Sequence, residues 1–235
     1  MKWTVLSDNR RCDDSLEIEH GLSILLETEK HHILLDTGAS DVFIRNAERL
    51  CIDLSTVDYV FISHGHSDHA GGLQYIVGRD RKAKVLVSPD AMSGKFYSKR
   101  GNLHSITAEW PKIDDDRLIL IDQTCTIAED IHVIAHIPQN HPMPKGNVNL
   151  YVQNTAGEPT EQREPSSSLE WPSRDGSRRS QTEEELTVLA QRLKAKYPNT
   201  QFYTSHCTGD KVFATLKTIM GNQLQAFSCG MTVTV

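Results

Sequence analysis

Val57-Asp58-Tyr59-Val60-Phe61-Ile62-Ser63-His64-Gly65-His66-Ser67-Asp68-His69-Ala70-Gly71-Gly72 is the stretch on which the fold of this chain turns. Its first seven residues are rich in β-branched and aromatic side chains, so they predict a buried strand. The run then stops at His64-x-His66-x-Asp68-His69. Imidazole nitrogens and carboxylate oxygens are the groups that zinc-like ions take at about 2.0–2.2 Å. Four of them within six residues, directly after a strand, predict a preorganised metal site. Gly65 permits a tight curl of the backbone, and Gly71-Gly72 permits close packing against the strand ends. Loops at strand ends are where α/β folds carry their sites.

Upstream, Leu22–Thr28 and His32–Asp36 are short apolar runs separated by Glu29-Lys30-His31, which predicts a hairpin. Thr37-Gly38-Ala39-Ser40 reads as a turn with Ser40 as N-cap, and Val42, Phe43, Ala47 and Leu50 follow at helical spacing. Downstream, a short helix is expected over Leu73–Val77. Strands are expected at Val85–Ser88, Leu118–Ile121, Ile131–Ala135 and Asn149–Val152.

From 153 to 181 the chain carries prolines, serines and four arginines with almost no aliphatic residue, so an irregular, disordered insertion is expected there. Order is expected to resume at the capping box Thr182-Glu183-Glu184-Glu185. A helix follows, then a strand over Gln201–Ser205. The last helix is capped by Asp210, carries Val212, Phe213, Leu216, Ile219 and Met220 on one face, and stops at Gly221. Alternating helices and strands with later clustered strands indicate a layered α/β fold. The expected organisation is one domain over residues 1–235, with 153–181 as an insertion within it.

Composition narrows the function classes. Lys and Arg number 25 against 31 Asp and Glu, a net charge of −6, which argues against a nucleic-acid-coating protein. No apolar run approaches the ~18–20 residues of a membrane span, and Met1–Asp8 turns polar too soon for a secretory signal. The five cysteines, at 12, 51, 125, 207 and 229, form no C-x-x-C pair and no disulfide framework, so a reducing, cytoplasmic setting is expected. The expected partner is a small-molecule substrate, with neither nucleic acid nor membrane; the oligomeric state is left open.

Ser63-His64-Gly65-His66-Ser67-Asp68-His69-Ala70-Gly71-Gly72-Leu73 resembles the signature of the metallo-β-lactamase superfamily, and Leu34-Leu35-Asp36-Thr37-Gly38 resembles its strand-and-turn. Thr204-Ser205-His206-Cys207-Thr208-Gly209, with Ile137-Pro138, resembles the branch of dihydropterin ribofuranosylaminobenzene phosphate synthase-like metal-dependent hydrolases. The likeness covers about residues 1–152 and 182–235. It implies an αββα sandwich, incomplete in its second half, with one or two divalent ions, zinc in the first place and iron or manganese as alternatives.

By the same likeness, His64 and His66 are ligands of a first metal. Asp68, His69 and His206 are ligands of a second, and Asp68 also orients the reactive hydroxide. Asp36 is expected to support a ligand rather than to ligate. The branch's strand ending in Gly-Cys-Ser/Ala-His and its Gly-Gly-x-His element are absent between Val152 and Thr182, so the first metal lacks its third ligand unless the loop residue His141 supplies it. The implied activity is metal-dependent hydrolysis of a small ester, lactone, amide or phosphate-bearing compound. Two alternatives stand beside it, a degenerate non-catalytic metal-binding domain and a pterin-related synthase.

Overall fold

A computed structural model describes residues 1–79, 82–135, 149–154, 157–161, 182–205 and 207–235. Five strands of the first half are β1 (Lys2–Ser7), β2 (Ser23–Glu27), β3 (His32–Leu35), β4 (Tyr59–Ile62) and β5 (Lys84–Val87). They form a seven-stranded sheet in the order Thr232–Thr234, β1, β2, β3, β4, β5, Leu118–Leu120. The β2–β3 pair is the expected hairpin, with Leu25 opposite Leu34. From β3 onward the pairing is parallel. The carboxyl ends of β3 and β4 therefore lie side by side, which puts the loop after Leu35 next to the loop after Ile62.

Both faces of the parallel strands are apolar, as a sheet covered on both sides requires. Leu34, Val60, Ile62, Val85 and Val87 pack with Phe43, Ile44 and Ala47 of α1 (Val42–Arg49). Leu73, Ile76 and Val77 of α3 (Leu73–Arg79) join the same core, and the one-turn helix α2 (Ser67–Ala70) lies between these two in the chain. On the other face, Ile33, Phe61 and Leu86 meet the hairpin Cys125–Ala128/Ile131–Val133. Trp3, Val5 and Ile24 of the same sheet meet Tyr203 and Phe227, next to the parallel pair Phe202–Thr204/Leu224–Ala226. The helices Glu183–Lys196 and Asp210–Met220 close the far side through Leu186, Ala190, Leu216 and Met220, packed on Phe202 and Leu224. The layers run helix, sheet, sheet, helix, the expected sandwich.

The second β-layer is built from smaller pieces than the first. Besides the two pairs above, Pro159–Glu161, Leu150–Gln153, Phe96–Ser98 and His104–Ser105 form an antiparallel sheet in that order. Pro159–Glu161 departs from the irregular chain expected from residue 153, because its backbone completes the ladder of Tyr151 and Val152. Residues 162–181, the greater part of that expected insertion, lie outside the described residues.

The Thr182 capping box forms, with Thr182 Oγ1 accepting from Glu185 N at 3.1 Å and Glu185 Oε2 accepting from Thr182 N at 2.8 Å. Two cap positions differ from expectation. Asp41 rather than Ser40 precedes α1, while the Ser40 hydroxyl donates to Glu19 at 2.6 Å and accepts from Val42 N at 3.3 Å. Gly209 rather than Asp210 precedes the last helix, at a φ of 73° that suits glycine.

Candidate metal centre

The site begins where β4 ends. Ser63–His66 turn across the sheet edge, and α2 then presents Asp68 and His69 from a single helical turn. Backbone bonds clamp this loop from two sides. Thr37 N donates to His69 O at 2.7 Å and Leu22 N to Asp68 O at 3.1 Å, while Ser67 N donates to Ile106 O at 2.7 Å and Ala108 N to Gly65 O at 2.9 Å. Two glycines permit the fit. A Cβ at residue 65 would stand 2.2 Å from Ala91 O, and one at residue 72 would stand 2.1 Å from Thr37 O.

His64, His66 and His69 are 4%, 6% and 4% exposed, which sets them apart from an ordinary polar loop. Their rings cluster together, His64–His66 edge to face with centroids 4.5 Å apart and His64–His69 tilted at 4.1 Å. One ligand atom each from His64, Asp68 and His69 lies within 4.8 Å of the others. Three of the four expected neighbours thus converge on one point, and His66 lies against them.

Asp36 sets the direction of two of these rings. It is fully buried at the end of β3, in a left-handed conformation (φ 54°) that an L-residue adopts at a cost in strain. Its carboxylate accepts from Ser63 N at 2.8 Å, Ser63 Oγ at 2.7 Å and His69 Nδ1 at 2.7 Å. His69 therefore carries a proton on Nδ1 and turns Nε2 to the site, 3.9 Å from Asp68 Oδ2. The Ser63 hydroxyl, which donates its hydrogen bond to Asp36, accepts from His64 Nδ1 at 2.9 Å. That leaves Nε2 of His64 with its lone pair. One carboxylate thus orients two imidazoles, one directly and one through a serine, as expected of a supporting residue.

Charge and solvation fit a cation. Burial disfavours the charged form of His69, but Asp36 and Asp68 beside it outweigh that and hold its pKa well above the usual histidine range. His66 behaves in the opposite way. Burial pushes its pKa down to about 4, and its Nε2 is buried with no hydrogen-bond partner among the described residues. A neutral imidazole nitrogen left unpaired in the interior costs about 1–3 kcal/mol, unless a further group, such as a metal ion, completes it. The residues present fit a divalent ion.

His206 and His141 lie outside the described residues. Of the residues beside it, Cys207 reaches the site. Ser205 Oγ donates to the buried Asp8 at 3.1 Å, and Cys207 Sγ stands 3.8 Å from His69 Nε2. Four other histidines have ordinary partners or exposure. His31 pairs with Asp130, His32 with Thr56 and His132 with Thr126, and His104 is exposed.

His20 was not singled out in the sequence. Its Nε2 is 3.4 Å from Asp68 Oδ2, and its side chain is 55% exposed at the mouth of the site. A single histidine before Gly21 has no spacing signal. It reaches Asp68 because Gly21 packs against the Asp68 backbone, where a Cβ would stand 2.8 Å from Asp68 O.

Comparison with known proteins agrees with this geometry. An uncharacterised protein of Methanocaldococcus jannaschii is 32% identical over 126 residues, which cover 52% of this chain and 48% of that one. The 7,8-dihydropterin-6-methyl-4-(beta-D-ribofuranosyl)-aminobenzene-5'-phosphate synthase of the same organism is 34% identical over 103 residues, 41% of this chain and 35% of that one. The chain thus spans half or less of the curated relatives it matches. In fold, it superposes on the crystal structure of Tm1679, a metal-dependent hydrolase of the beta-lactamase superfamily, with a TM-score of 0.77 at 22% identity, covering 100% of this chain and 99% of that one. The metallo-beta-lactamase superfamily profile matches residues 17–144, more than half of the sequence and the part that carries β2 to β5 and the histidine cluster. The chain belongs to the metallo-β-lactamase superfamily.

Proposed function

We propose that this protein is a metal-dependent hydrolase acting on a small ester, lactone, amide or phosphate-bearing compound. The observation that carries this reading is the buried cluster of His64, His66 and His69 with Asp68, two of its rings aimed by Asp36. One or two divalent ions, zinc first and iron or manganese as alternatives, supply Lewis acidity there and lower the pKa of water towards ~7.

The protein's own groups do the rest. His64 and His69 offer Nε2 atoms because Asp36 and Ser63 occupy their Nδ1 sides. Asp68, half-buried beside His69, both ligates and accepts a proton from the attacking water. His20, facing Asp68 from the solvent side, passes that proton outward. His206 supplies a further ligand from the carboxyl-terminal half.

The similarity to the dihydropterin-linked synthase favours a second reading of the same site, a synthase acting on a pterin- or phosphate-bearing metabolite. The working location is the cytoplasm. All five cysteines are free, and among the described residues no helix is long and apolar enough to cross a membrane.

Elemental analysis of the purified protein, with its mass in solution and turnover of generic ester and phosphodiester substrates, tests this. One to two ions per chain and hydrolysis lost in Asp68→Asn support the hydrolase. Bound metal without hydrolysis of either substrate directs attention to the synthase. A metal-free aggregate points to the degenerate domain and overturns both.

A further inference from the structure

The hairpin that clamps the histidine loop carries polar groups for which the metal centre has no use. Its strands, Phe96–Ser98 and His104–Ser105, pair with Ser98 opposite His104. Phe96 lies against the site, its ring centroid 5.1 Å from that of His66, and the His66 backbone bridges to Thr107 just beyond the second strand. Side chains two apart along an extended strand share a face. Ser98 therefore follows Phe96 on the side of the site. Arg100 continues the same row, because Lys99 N carries the ladder on to Asn149 O at 2.9 Å.

Two features of this row call for a negatively charged oxygen. Ser98 is 3% exposed, and its hydroxyl has no hydrogen-bond partner among the described residues. A buried hydroxyl is costly to leave unpaired, and an oxygen of a bound molecule completes it. Arg100 stands exposed at the tip, and its charge acts on the His66 imidazole. The segment is also basic in a chain that is acidic as a whole. From Ala91 to Ala108 it carries Lys95, Lys99 and Arg100 and neither Asp nor Glu.

We propose that Ser98 and Arg100 form an oxyanion subsite beside the metal centre, and that the substrate therefore carries a phosphate or a carboxylate group. The Ser98 hydroxyl donates one hydrogen bond to that group, and the Arg100 guanidinium meets it as a charged fork. Neutral esters, lactones and amides are the poorer substrates. The inference rests on the functional reading above and narrows its substrate class.

Calorimetric titration of the metal-loaded protein with inorganic phosphate and with acetate reads the subsite without turnover. The anion that binds the wild type more tightly identifies the group. Arg100→Gln should raise its Kd about tenfold and Ser98→Ala about threefold, while Lys30→Gln, at the turn between β2 and β3, should leave it unchanged. In turnover, Arg100→Gln should raise KM for bis(4-nitrophenyl) phosphate about fivefold at little cost in kcat, and leave 4-nitrophenyl acetate unaffected. Anion binding equal in wild type, Arg100→Gln and Ser98→Ala overturns the subsite and leaves the hydrolase standing. So does an equal loss on both substrates in Arg100→Gln, or a loss of anion binding in Lys30→Gln as large as in Arg100→Gln, which reduces the effect to net charge. Anion binding weakened as expected in a protein that hydrolyses neither substrate overturns the hydrolase and leaves the subsite standing.

Discussion

On one wall of the site, residues 63–72 are bound to the rest of the protein through buried backbone groups and the carboxylate of Asp36, which is 1% exposed. On the facing wall, two side-chain contacts join the described residues Ser205 and Asp210 to the amino-terminal segment. One is Ser205 to Asp8, and the other is Asp210 to Arg10, with the Asp210 side chain 83% exposed. Bonds made out of reach of water are costly to leave unmade, while exposed ion pairs contribute about 0–1 kcal/mol. The first wall is therefore preorganised before any ion arrives. The second is held weakly, and a ligand on it gains more of its order from the ion itself. The same contrast runs through the β-layers, with one continuous seven-stranded sheet behind the first wall and a two-stranded pair before the second.

The sharpest way to break this comparison is at Asp36. Asp36→Ala leaves the Ser63 amide and the Nδ1–H of His69 buried without an acceptor. It should lower stability by about 3–5 kcal/mol in urea unfolding of the metal-free protein. Asp36→Asn keeps the shape and part of the bonding, and should bind zinc about 10–100-fold more weakly by competition with a chelator. An unchanged affinity in that variant would remove Asp36 from the site's support.

Acid should act on the same wall. His66 has a folded pKa near 4, below its unfolded value of about 6.5. Its contribution to stability is present above about pH 6.5 and is lost as pH falls towards 4, by roughly 3 kcal/mol in total for the metal-free protein. His69 has the opposite sign. Its raised pKa means a contribution that is full below about 6.5 and fades as pH rises through the folded value. Urea unfolding of the metal-free protein between pH 4 and 8 checks both, and replacing His66 by Gln should flatten the acid side.

Gly65→Ala tests the packing of the loop. The added Cβ meets the Ala91 carbonyl at 2.2 Å, so the loop or the helix Pro89–Ser93 must shift, at about 1–3 kcal/mol. The smallest effect belongs to the other wall. Ser205→Ala removes one hydrogen bond to Asp8 and should cost about 1 kcal/mol in the same unfolding assay. If Ser205→Ala destabilises as much as Asp36→Ala, the two walls are not held differently and the contrast fails.

Much of this protein is decided by short-range pattern. The run from Val57 to Gly72 determined a strand feeding a histidine loop, because its ligands sit within six residues and no long-range contact is needed to bring them near. The β2–β3 hairpin and the Thr182 cap are local in the same sense, since neighbouring residues satisfy each other's backbone groups. Asp36 was legible as well, as a carboxylate ending the strand beside β4. Other features belong to the tertiary structure alone. His20 meets Asp68 across 48 positions, and no periodicity or motif spacing encodes that pair; Cys207 meets His69 across 138, where the family likeness of its motif had already brought the neighbouring His206. Ser63 looked like the last residue of a strand, and only the parallel pairing of β3 with β4 makes its hydroxyl the link between Asp36 and His64. Pro159–Glu161 has too little apolar character to announce a strand. It becomes one because Leu150–Gln153 presents an edge of unpaired backbone groups that it completes. Local sequence sets which groups can ligate and which segments can extend. Burial and the alignment of distant strand ends decide which of them meet.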